Sequence, residues 1–186
     1  MATADSTQPQ PKFGTVNALL GGVDHAAVDP TTGDVYYVYG NRDAVTGNNR
    51  LSIARLQDNG AGGMTLLSTS FITGQVQSAL PSVTVNTDGA IGVLYDTFDG
   101  FSGGFPVFTA HFATSTDHGV TFLDSVLETF LSPAADNGDS RQRVLGDYQQ
   151  VKSIGSVFNG VFSGSGVPFG RTLVNIDPIF FRVTLL

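Results

Sequence analysis

The chain has 186 residues, of which 41% are hydrophobic and only 13% charged, with 14 Phe and 5 Tyr. That aromatic load excludes a polar disordered chain, and nine basic against sixteen acidic residues, a net charge of −7, argues against a phosphate-backbone partner. The absence of cysteine excludes disulfides, iron–sulfur clusters, thiolate zinc and thiol nucleophiles. With 23 Gly and 8 Pro the composition is turn-rich, which points to an all-β chain. No apolar run approaches the ~20 residues of a membrane helix, so no membrane insertion is expected.

Residues 1–11 are polar and contain Pro9 and Pro11; they read as a flexible leader rather than a signal peptide. Residues 12–20 form an isolated apolar stretch that reads as an outer strand able to complete a neighbour's sheet. Val35–Tyr39 is β-branched and aromatic throughout, with Gly33-Asp34 before it and Gly40-Asn41 after it, which predicts a strand. Further strands are predicted at Leu51–Leu56, Met64–Ile72, Val83–Val85, Ile91–Tyr95, Phe105–Thr114, Val157–Phe162 and Ile179–Val183. Asp88-Gly89 marks a tight turn, because Gly takes positive φ without steric cost. Asp124–Leu131 fits either a short helix or a strand beside a turn.

Ala26–Tyr39, Pro81–Tyr95 and, more weakly, Tyr148–Phe162 share one pattern: an apolar strand, a Gly-containing polar turn, then a second apolar strand. This internal repeat predicts a four-stranded antiparallel unit present about three times, with ranges 22–74, 75–133 and 140–186. The alternative is the ordinary abundance of hairpins in any all-β chain.

Residues 115–122 read Ser-Thr-Asp-His-Gly-Val-Thr-Phe. Asp117 is placed to accept backbone N–H bonds, Gly119 to take the left-handed conformation, and Phe122 to pack beneath the turn. With Ser115 and Thr121 they match Ser-x-Asp-x-Gly-x-Thr-Phe, and the chain thereby resembles the sialidase-like β-propellers with Asp-box (BNR) repeats, of the bacterial secreted type. Pro81-Ser82-Val83 with Asp88-Gly89, and Gly146-Asp147-Tyr148 before an apolar strand, are similar to other segments of that group. The resemblance covers about residues 22–183. It implies a propeller segment over 12–186, completed by another copy or another chain because about three blades are too few to close. It also implies an extracellular or cell-surface location, and a structural Asp-box in which His118 faces solvent.

A working sialidase of that family needs three arginines on a carboxylate, a Tyr nucleophile with a Glu, and an Asp acid. This chain has seven Arg and a single Glu, Glu128, which reads as a surface residue, and it lacks the family's N-terminal Arg-Ile-Pro-like motif. No catalytic residue is therefore assigned. The expected function is a non-catalytic binding or scaffolding module directed to glycans. The alternatives are part of a glycoside hydrolase completed elsewhere, and a structural subunit of an extracellular assembly. Arg141, Arg143, Asp147 and Tyr148 are the candidate ligand-binding residues, against the reading of a structural ion pair and a core Tyr. Asp136-Asn137-Gly138-Asp139-Ser140 is an oxygen-rich loop where calcium is conceivable, but EF-hand spacing is missing, so no cofactor is assigned. His25, His111 and His118 are too scattered for a metal site, and Gly164-Ser165-Gly166 reads as a flexible tip.

Overall fold

The computed structural model describes residues 25–72, 75, 77–135, 145, 149–170 and 176–185. Among them, eleven strands form three antiparallel meanders. The first holds β1 (His25–Val28), β2 (Val35–Arg42), β3 (Asn49–Asp58) and β4 (Met64–Phe71). The second holds β5 (Ser78–Val85), β6 (Ile91–Ser102), β7 (Phe105–Ser115) and β8 (Leu123–Leu131). The third holds β9 (Gln150–Ile154), β10 (Val157–Ser165) and β11 (Ile176–Thr184), three strands where four were expected. Within each sheet, spatial order follows chain order, and no sheet closes on itself.

The repeated hairpin pattern is present in all three sheets, closing at Val28↔Val35, Val85↔Ile91 and Ile154↔Val157. Local chemistry makes the turns. The Asn86 side-chain oxygen accepts from the amides of Asp88 and Ala90, and Gly89 sits at φ 78°. Asp29 Oδ1 likewise takes the amide and hydroxyl of Thr31. These turns adjoin one another: the Thr87 amide donates to Gly155 O at 3.1 Å, and Asn86 Nδ2 donates to Ser156 O at 3.2 Å. A methyl group on Gly89 would lie 3.3 Å from Thr31 Oγ1. The three first strands lie side by side, β5 between β1 and β9. The three first hairpins therefore share one end of the molecule, and the β2–β3 and β6–β7 tips lie at the other.

Strand alternation sends the two faces of the middle sheet into two cores. Ile91, Val93 and Tyr95 pack with Tyr36, Val38, Leu51 and Ile53 of the first sheet. Leu94, Ala110 and Phe112 pack with Val151, Phe158 and Phe162 of the third. A third cluster joins Ala79, Leu80, Phe108 and Phe130 with Leu145. The middle sheet is covered on both sides, which is why β5 is buried at every position.

Of the two readings open for Asp124–Leu131, the strand is the one present: the segment belongs to β8 and pairs along β7 from Thr114↔Leu123 to Val107↔Leu131. One expectation is corrected here. Gly164-Ser165 is no flexible tip: both residues belong to β10, paired with Asp177 and Ile176, and Gly166 precedes a 3-10 turn at Val167–Phe169.

Candidate functional site

The Ser115–Phe122 corner folds as its sequence demands. Ser115 Oγ donates to Asp117 Oδ1 at 2.8 Å and accepts the Gly119 amide at 3.0 Å. Asp117 Oδ1 accepts the amides of Val120 and Thr121, and Oδ2 accepts the Thr121 hydroxyl at 2.6 Å. His118 and Gly119 reverse the chain at φ 61° and 82°. Gly119 faces Ile53 and Ile91, Phe122 is 8% exposed in the core shared with the first sheet, and Ser70 Oγ donates to Gly119 O at 2.6 Å. The corner is thus a rivet between two sheets. His118 is exposed as expected, and its Nδ1 also meets the Tyr36 hydroxyl at 3.2 Å.

The Thr121 hydroxyl and then the surrounding amides hold the Asp117 carboxyl down at about 2. A depressed carboxyl stabilises the folded state above its unfolded pKa of about 4 and loses that contribution as pH falls through its folded value. Asp117→Ala is expected to cost about 1–2 kcal/mol at pH 7, from lost hydrogen bonds to a half-buried group. Denaturant unfolding should show that difference shrinking between about pH 4 and about 2.

A second constellation went unrecognised in the sequence. It runs across the middle sheet on the face directed to the first. Tyr95, fully buried, donates its hydroxyl to Asp124 Oδ1 at 2.7 Å, and its ring stacks on His111 with centroids 4.9 Å apart. His111 Nδ1 lies 2.8 Å from Asp124 Oδ2, and Nε2 lies 3.0 Å from Thr97 Oγ1. Thr97 donates to Asp99 Oδ1, and Thr109 donates to Asp99 Oδ2 while contacting Thr129 at 2.8 Å. Hydrogen bonds to His111 and Tyr95 outweigh burial and lower the Asp124 pKa. Burial, then the Asp124 carboxylate, pushes the Tyr95 phenol far up.

Carboxylate, imidazole and hydroxyl stand in the order of a nucleophile triad, but this row does not supply one. Thr97 is 4% exposed, and its single proton goes to Asp99. What the row offers outward is the exposed Asp99 and Thr129 beside the exposed Val126, 61%, paired with His111. At one end the β6–β7 tip presents Phe101, 53% exposed, and Phe105, 37%, with Gly103 and Gly104 at positive φ.

Arg141, Arg143, Asp147, Tyr148 and the 136–140 loop lie outside the described residues. Glu128 is not on the surface. It is 8% exposed, and burial raises its pKa, partly offset by the nearby Ser165 amide. No protein-family model matches the chain, and no curated protein matches it. Among the described residues, no helix is long and apolar enough to cross a membrane.

Proposed function

We propose that the chain is a non-catalytic binding and scaffolding module built on the sialidase-like propeller plan, acting outside the cell or at its surface. The observation that carries the reading is the side-by-side run of first strands β1, β5 and β9 with their turns meeting at one end. Blades around a common axis are arranged this way. Asp117 and Thr97, the groups in catalytic-looking positions, are committed to their own turn and to Asp99. Among the described residues β1 and β9 each meet one other first strand, so the arc has two open flanks for another copy or another chain.

The ligand class is glycans: exposed aromatics at a hairpin tip, beside hydrogen-bonded carboxylate and hydroxyl groups, suit hydroxyl-rich rings with apolar faces. On a glycan array the protein should retain at least one class, and Phe101→Ala should weaken retention about tenfold or more with the fold intact by circular dichroism. Light scattering should give a mass above one chain. A monomer that retains no glycan, or one that turns over a fluorogenic sialoside, overturns the reading.

A further inference from the structure

We propose that the β3–β4 turn is a self-modification site, at which the Gly60 backbone nitrogen displaces the side-chain nitrogen of Asn59 to give a succinimide and then aspartate or isoaspartate. The turn is closed by the Asp58↔Met64 pair, and the Asn59 amide donates to Gly63 O at 3.0 Å across it. Asn59 and Gly60 are both exposed, so water reaches the bond that must finally be opened. Asn-Gly alone is a reactive dipeptide, because glycine puts no side chain in the way of the attack. Here the fold sets two further groups around it.

The nucleophile is the Gly60 nitrogen. Its N–H donates to Asp58 Oδ1 at 2.8 Å, so a carboxylate already stands where the proton must go. The electrophile is the side-chain amide carbon of Asn59. Its Oδ1 accepts the Ala61 amide at 2.9 Å and the Gly63 amide at 3.1 Å. Two N–H groups on one oxygen draw electron density from the carbon and hold the charge that the oxygen gains on attack, as an oxyanion hole does. A β-carbon on Gly63 would stand 3.0 Å from Asn59 Nδ2, so the bare glycine also leaves room for the departing nitrogen.

The step balances. The Gly60 N–H proton passes to Asp58, and the nitrogen lone pair bonds to Asn59 Cγ, closing a five-membered ring. The carbonyl pair moves onto Oδ1 and returns as the Cγ–Nδ2 bond breaks. Nδ2 leaves as ammonia with the proton that Asp58 took up. Water then opens either ring carbonyl, giving aspartate or isoaspartate, and each product adds one negative charge beside Asp58. Asn159-Gly160 is the internal comparison. There Gly160 is buried in β10, paired with Val151 on one side and Phe181 on the other, and a β-carbon would stand 3.1 Å from Gln150 O. Ring closure at that dipeptide would break a strand held on both edges. Asn137-Gly138 lies outside the described residues.

The test incubates the full chain at neutral pH, folded and in urea, and follows each Asn-Gly by peptide mapping with mass spectrometry. In the folded chain a gain of one mass unit should accumulate at Asn59, with isoaspartate among the products, and not at Asn159. In urea Asn159 should react as well, and Asn59 should react more slowly than it does folded. Asp58→Asn should slow the folded reaction about tenfold or more, with the fold intact by circular dichroism. Conversion of Asn59 no faster folded than in urea overturns the proposal, because the turn would then add nothing to the dipeptide. A folded rate unchanged by Asp58→Asn overturns it too. Neither result bears on glycan retention.

Discussion

Replacing Phe158 with alanine is expected to destabilise the protein by about 3–5 kcal/mol. Phe158 is fully buried and is the main ring that β10 sends toward the middle sheet. It meets Phe112 edge-on with centroids 5.4 Å apart, and Phe112 in turn meets Phe181 of β11 at 5.1 Å. Truncation removes one member of this three-ring stack, and the pleated sheets on either side cannot collapse into the gap. For a chain of this length the midpoint should fall by roughly 6–20 °C. Thermal and urea unfolding would measure it. A loss below about 1 kcal/mol would mean that the third sheet does not pack on the second as described.

The same contact can be tested from its other side by Gly92→Val. Gly92 lies in β6, paired with Thr114, and presents bare backbone to the rings. A β-carbon there would stand 2.7 Å from Phe112 Cζ and 2.9 Å from two Phe158 ring carbons, too close for either sheet to keep its place. Overpacking of this kind costs about 1–3 kcal/mol. Phe158→Ala opens the space that the valine needs, so the double variant should be less damaged than the sum of the two by roughly 0.5–3 kcal/mol. Strict additivity would show that the two residues do not touch.

What was legible in the sequence is what local chemistry decides. Asp117, Gly119 and the Asn86–Gly89 turn find their partners within about four residues, so their roles could be read from spacing alone. The three hairpins were legible for the same reason. The His111 network was hidden because it spans three strands and depends on an irregularity. Between Ala110 and His111 the register along β8 shifts by one residue. Plain alternation would set Asp124, Val126 and Glu128 on one face. The shift instead puts Asp124, Val126 and Thr129 with His111, and turns Glu128 to the opposite side with Asp96. A period-2 reading has no means of seeing an inserted residue, and a lone glutamate in a polar stretch then passes for a surface group.

The two ends of the molecule differ in what they leave to chance. At one end the first hairpins are stitched together by Asn86, Thr87 and Gly89 against Ser156, Gly155 and Thr31. At the other, Val45 of the β2–β3 connection is 93% exposed, and Gly103-Gly104 stand at the crest of the longest hairpin. Foreign peptides grafted at these crests would lengthen a loop without disturbing the stitched end, and lengthening a loop is cheap in closure entropy. The chain is therefore suited to use as a display frame whose presented sequences are exchanged while the base is held constant.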